Sequence, residues 1–181
     1  GYEKTKTDFG AVVERILAGY RTGQDVAVLT WRNEMRVRIN DRVRRALGRV
    51  APVEVGERLL VRSNQRMLGR MNGEILEVIG VRPWAETPTG RTAIQARRAT
   101  PFEATLVEVT TACGITALIH PGSIGLPVRD WRALLTLPDS RDPNPTYFSA
   151  TAPMQHLHVD YGYAMTVHAA QGSEFDHVVF V

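Results

Sequence analysis

The sequence predicts an α/β protein, a parallel-sheet domain interrupted by a small inserted β-barrel. Three features point there. Residues 1–52 run helix, buried strand, helix; the stretch from Pro52 to about Pro138 turns to short β-like runs parted by turn residues; and α/β character returns after the loop at 139–145. Clustered short strands inside an α/β chain suggest a small barrel inserted into a larger domain. The expected division assigns 1–52 and 146–181 to the α/β domain and 53–145 to the insert with its linkers.

The first expected element is an amphipathic helix over Asp8–Tyr20. Phe9, Val12, Val13, Ile16 and Leu17 fall at helical spacing there, Asp8 is placed to cap its start, and Gly23 ends it. Asp25–Thr30 is short and nearly all apolar, which suits a parallel strand covered on both faces. A second helix spans about Asn33–Leu47 and stops at Gly48. Its apolar stripe is Met35, Ile39, Val43 and Leu47, and Arg38, Arg42, Arg45 and Arg49 form a basic stripe beside it. In the insert, strands are expected at 57–62, 74–82, 102–109 and 116–119, with Asn72-Gly73 as the sharpest turn. Pro83, Pro88 and Gly90 mark a mobile excursion between strands. The closing segment reads as a strand over 157–163, a short helix over 166–170 and a buried strand over 177–181. A chain that stops bluntly on an apolar strand is expected to be a fragment.

The composition narrows the function. With 181 residues, 44% of them apolar, there is material for a buried core. No apolar run approaches the roughly 20 residues of a membrane helix, and the N-terminus lacks the shape of a signal peptide, so no membrane partner is expected. A single cysteine, Cys113, rules out a disulfide framework and a cysteine-based zinc site, which fits a cytoplasmic location. It is expected to be a small buried hydrophobe. The formal charge is +3, and of 22 basic residues only Lys4 and Lys6 are lysines. Arginine suits phosphate, and an arginine excess also follows from base composition alone.

The chain carries no G-x-x-x-x-G-K-[ST] loop, no strand-borne Asp-Glu pair for magnesium and no G-x-S-x-G elbow, so it is not expected to hydrolyse a nucleotide unaided. What it does carry is Tyr163-Ala-Met-Thr-Val-His-Ala-Ala-Gln-Gly-Ser-Glu-Phe-Asp-His-Val-Val-Phe-Val181, a cluster of hydrogen-bonding side chains ahead of a strand. By itself it is either a polar turn or a ligand loop, where Gly172 would permit close backbone approach. His156, His158 and Asp160 alternate, a pattern that on a strand shares one face, but no fourth metal ligand is evident and no metal is expected. Arg58, Arg62, Arg66 and Arg70 give either a solvated face or a surface for nucleic acid, and Trp84 and Trp131 suit either the core or stacking on bases.

Residues 163–181 resemble motif V of superfamily 1 helicases in the form used by the RecD-like, 5′-to-3′ branch, T-V-H-K-x-Q-G-S-E-F before a hydrophobic strand, with Ala169 where that family usually has lysine. Val26–Arg38 is similar to motif IV of the same branch, with Arg32 at the position of its phosphate-sensing arginine. Residues 55–62 and 71–75 resemble the SH3-like barrel inserted in the second RecA-like domain of such enzymes. The resemblance implies the C-terminal, UvrD-like motor half of an ATP-dependent DNA helicase. In it Arg32 would be the catalytic arginine at the γ-phosphate, and Gln171, Gly172, Ser173 and Glu174 would line the nucleotide cleft. Thr166 and His168 would bind single-stranded DNA, with Arg58 and Arg62 as further DNA contacts. ATP with Mg2+ would be held mainly by an N-terminal RecA-like domain, and helicase or nuclease subunits are further implied partners. The alternatives are a standalone nucleic-acid-binding adaptor and, more remotely, a metal-dependent enzyme using His156 and His158.

Overall fold

The computed structural model describes residues 8–24, 26–96, 103–135, 156–171 and 175–181. They fall into two compact units, one formed by 1–51 with 162–181 and the other by 52–161.

In the first unit, helix α1 (Phe9–Thr22) starts where the Asp8 carboxylate accepts the backbone N–H groups of Gly10 and Ala11, and it stops at Gly23, whose φ of 69° only glycine adopts cheaply. Strand β1 (Val26–Thr30) is buried at every position, as befits a strand between two neighbours and beneath two helices. Helix α2 (Asn33–Ala46) lays Ile39 and Val43, both fully buried, against the sheet. Its Arg38 and Arg42 stand over the Phe9 ring at 5.4 and 5.3 Å, so half of the basic stripe is braced on the neighbouring helix.

The rest of this sheet comes from the far end of the chain. Strand β7 (Ala164–Thr166) and strand β8 (His177–Phe180) flank β1, both parallel to it, in the order β7-β1-β8. Val28 faces Ala164 on one side and Val179 on the other. The three-residue β7 lies between the strand expected over 157–163 and the helix expected over 166–170. Residues 167–171 form a turn, because the Ala169 and Ala170 N–H groups close back onto the Thr166 carbonyl oxygen.

The second unit is antiparallel. Strands β2 (Arg58–Val61), β3 (Ile75–Pro83), β4 (Val107–Thr111), β5 (Thr116–Ile119) and β6 (Val159–Tyr161) lie in the order β5-β4-β3-β2-β6. Its core is Val53, Leu59, Val61, Leu76, Val78, Val109, Ala117, Ile119, Leu157 and Val159. The expected barrel is not a closed one among the described residues. A single bridge between Leu118 and His156, with the Leu157 N–H on the Leu118 carbonyl oxygen at 2.8 Å, joins the sheet's two ends in place of a full ladder.

Residues 159–161 pair with β2, so this unit extends to Tyr161, and the α/β unit resumes at Gly162, later than the expected 146. The segment expected as an excursion at Pro83–Gly90 forms a 3-10 turn and the start of a helix. Trp84 is buried with Ala93, Leu106 and Leu118, and Thr87 caps helix α3 (Pro88–Gln95). Gly90 packs so closely that a Cβ there would lie 2.0 Å from the Trp84 carbonyl oxygen. A fourth helix, α4 (Val128–Leu135), brings Trp131 into the same unit.

Candidate functional site

The carboxyl end of a parallel sheet is where open α/β folds take their ligands, because the loops leaving the strands meet there. In the α/β unit that end is built by β1 and β7, which finish level with each other at Thr30 and Thr166. Thr30 is fully buried. Its hydroxyl donates to the Arg32 carbonyl oxygen at 3.1 Å, with the Met165 carbonyl oxygen farther off at 3.5 Å. The Val167 N–H in turn donates to the Thr30 carbonyl oxygen at 3.2 Å. One buried threonine therefore ties the exit of β1 to the exit of β7.

Around this tie stand four of the residues that the sequence singles out. Arg32 is the residue before α2, in extended conformation and exposed. Thr166 is half-buried at the end of β7, and His168 is exposed on the turn after it. Gln171 is exposed at the close of that turn. A guanidinium, a hydroxyl, an imidazole and an amide at one sheet end form a donor set suited to phosphate oxygens. The expected positions Gly172, Ser173 and Glu174 lie outside the described residues.

Sequence reasoning passed over three residues here. Trp31, beside Arg32, is 82% exposed, an unusual place for the largest apolar side chain. Its isolation from any helical stripe was the available signal. Thr30 read as the tail of an apolar run, and Asn40 as an ordinary polar residue of α2. Neither carries a local pattern. Arg36, one turn beyond Arg32, is buried, and its Nε donates to Asn33 Oδ1 at 3.2 Å, bracing the first turn of α2.

The two DNA-contact arginines of the insert belong to the other unit. Arg58 begins β2 opposite Glu77, and both it and Arg62 are half-buried. Arg62 approaches His158, with its backbone N–H on the His158 carbonyl oxygen at 2.9 Å. Of the four arginines read as a basic surface, Arg70 is paired with Glu74 at 3.2 Å, and Arg66 is the fully exposed one. The stripe is partly neutralised by its own fold.

The alternating His156, His158 and Asp160 are structural. The His158 ring stacks on Trp131 with centroids 4.7 Å apart, and its Nε2 lies 2.8 Å from the Leu126 carbonyl oxygen. A carbonyl only accepts, so Nε2 carries the proton and Nδ1 accepts from the Ser63 hydroxyl at 3.1 Å. Both nitrogens of His158 are thereby occupied. Burial lowers its pKa; the Leu126 bond opposes that, Arg62 and Arg132 add to it, and Asp160 counters it. Burial, with His120 nearby, pushes the pKa of His156 down to about 4. The Asp160 carboxylate accepts the Tyr161 N–H at 2.7 Å. Among the described residues no group of three or more acidic, histidine or cysteine side chains could hold a metal ion.

Trp84 and Trp131 are both buried, which places them in the core and not on a stacking platform. The expectation of a buried Cys113 is corrected: it is exposed on the tight turn joining β4 to β5, between the equally exposed Ala112 and Gly114, which are too small to cover it. Among the described residues no helix is long and apolar enough to cross a membrane. The chain matches no protein-family model, and no curated protein matches it.

Proposed function

We propose that this chain is part of the second motor domain of a RecD-like, superfamily 1 DNA helicase. The observation that carries the reading is the convergence of Arg32 and Thr166, with His168 two residues on, at the carboxyl end of β1 and β7, where the buried Thr30 holds Arg32 through its hydroxyl and Val167 through its carbonyl oxygen. These are the positions at which motifs IV and V would meet if the resemblance holds.

In this reading Arg32 neutralises charge that develops on the γ-phosphate of ATP, a substrate whose β-phosphate and Mg2+ are held by the P-loop domain of the same enzyme. The donor set at this sheet end suits phosphate oxygens and not a metal ion, consistent with magnesium being held on the other side of the cleft. Trp31 adds a flat apolar face next to Arg32, a fit for the nucleobase of the same nucleotide. Thr166 and His168 hydrogen-bond phosphates of single-stranded DNA, and Arg58 and Arg62 are separate candidate DNA contacts on the insert. Closure of the two motor domains on ATP and reopening after hydrolysis would advance the enzyme along the strand.

The test is fluorescence anisotropy of a labelled single-stranded oligonucleotide titrated with the 181-residue chain at two salt concentrations, with a matched duplex alongside. Weak binding that prefers the single strand and fades with salt is the expected result, since few phosphates are neutralised. Tight, duplex-preferring binding would instead identify a standalone nucleic-acid adaptor. The chain alone is expected to show no DNA-stimulated ATPase activity; activity that survives removal of contaminating host enzymes would sink the proposal.

A further inference from the structure

We infer that Asn40 is a positioning residue, a one-residue substitute for a neighbouring strand that fixes β7 and, through it, the turn that presents Thr166 and His168.

Strand β7 has one strand neighbour among the described residues, β1. Its other edge would leave backbone donors and acceptors unpaired inside the protein, at a cost of about 1–3 kcal/mol each. Asn40, buried in α2 with 1% exposure, fills that role. Its Oδ1 accepts the Ala164 N–H at 2.7 Å and its Nδ2 donates to the Ala164 carbonyl oxygen at 3.2 Å. One primary amide thus reproduces both bonds that a strand would make to Ala164. Among side chains uncharged at every ordinary pH, asparagine and glutamine carry such a side-by-side N–H donor and carbonyl acceptor, and asparagine's shorter stem suits the close approach of α2 to β7.

Strand periodicity puts Thr166 on the same edge as Ala164, two residues on. Its carbonyl oxygen is taken by Ala169 at 2.9 Å and Ala170 at 3.2 Å, the bonds that shape the turn carrying His168. The outer edge of β7 is therefore closed first by a side chain from α2 and then by the strand's own turn. A strand of three residues has little pairing of its own to hold it, so the clamp at its first residue sets the place of its last. The same helix begins at Arg32, so α2 couples both halves of the candidate site: its start carries the arginine and its middle holds the strand that carries the threonine.

The functional consequence rests on the proposed DNA contact, and the experiment separates the two. In the full 181-residue chain, Asn40→Ala is compared with the parent by backbone NMR and by anisotropy with single-stranded DNA. The expected result is about tenfold or faster amide exchange at Ala164, with shift changes running from Thr166 through Gln171 and sparing β8. Single-strand affinity should fall about five- to tenfold, and this loss should not add to that of His168→Ala, because Asn40 acts through the turn.

Should Asn40→Ala fail to fold, Asn40→Asp carries the test. Its carboxylate still accepts from Ala164 but cannot donate, whereas its protonated form can do both. Burial raises the pKa of that carboxyl, so the variant's affinity relative to the parent should recover as pH falls from about 8 to about 6. Unchanged exchange at Ala164 and unchanged shifts over 166–171 in a folded variant overturn the inference. So does full single-strand affinity in a variant whose turn has shifted. A parent that binds no single-stranded DNA sinks the helicase reading, and the exchange and shift pattern then decides the clamp by itself.

Discussion

At residue scale the candidate site depends on small polar groups that are hidden from solvent. Thr30 is fully buried, and its hydroxyl is the only side-chain atom of β1 that holds the chain leaving the strand. Thr30→Val keeps the shape and removes the bond, so it should destabilise the chain by about 1 kcal/mol in urea unfolding. A midpoint equal to the parent's would mean that the bond to Arg32 is not formed in solution. Arg32 itself is exposed, so Arg32→Ala should leave stability nearly unchanged. With the P-loop domain present, that substitution should keep ATP binding within several-fold yet cut turnover by roughly two or more orders of magnitude. Wild-type turnover in that variant would remove Arg32 from the γ-phosphate. Of these residues only Arg32, Thr166, His168 and Gln171 were legible in the sequence, because they sit in recognisable strings. Thr30 and Asn40 act on backbone groups that are 135 and 124 positions away in the chain, and no local pattern encodes such a partner.

At the scale of elements, the first helix shows how packing reverses an intrinsic preference. A glycine inside a helix usually costs about 1 kcal/mol relative to alanine. Gly19 is a different case: a Cβ there would come within 2.3 Å of a Val26 methyl and 3.3 Å of the Gln24 carbonyl oxygen. Val26 is buried in β1 and β-branched, so it has little room to turn aside. Gly19→Ala should therefore destabilise, by about 1–3 kcal/mol, where propensity alone would have it stabilise. Thermal unfolding of this variant beside the exposed control Ala18→Gly would show the sign. Helices α1 and α2 were readable because each has a full amphipathic stripe and a capping or stop residue. The strand expected over 157–163 covered β6 and missed β7, because three-residue elements lack a pattern of their own, and the chain switches sheets between them at Gly162 and Tyr163.

At the scale of the whole molecule, the histidines whose protonation burial disfavours, His120, His156 and His158, all lie in the antiparallel unit. The sign of the resulting pH dependence follows directly. Folded His156 stays neutral down to about pH 4, whereas the unfolded chain takes up its proton around the ordinary value of 6.5. Stability from this group is therefore complete above pH 6.5 and is lost as pH falls through the window toward 4. Between pH 7.5 and 5 the loss from His156 should be on the order of 2 kcal/mol. Trp84 and Trp131 are buried in the same unit and Trp31 is exposed in the other, so tryptophan fluorescence reports chiefly on the acid-sensitive half. Urea midpoints at the two pH values should separate for the parent and draw together for His156→Gln. Equal midpoints for the parent would mean that His156 is reached by solvent.

By itself the sequence determined the α/β character, the two helices that frame β1, the switch to short antiparallel strands and the string that ends at β8. Each follows from local periodicity, capping residues and turn chemistry, which act over a few neighbours. Only the tertiary structure decided that β7 and β8 lie on opposite sides of β1, that 156–161 belongs with the antiparallel sheet, and that Asn40 closes the edge of β7. The reason is physical. Strand neighbours and buried hydrogen-bond partners are chosen by which distant groups can be covered together, and that choice leaves no trace in the spacing of residues along the chain.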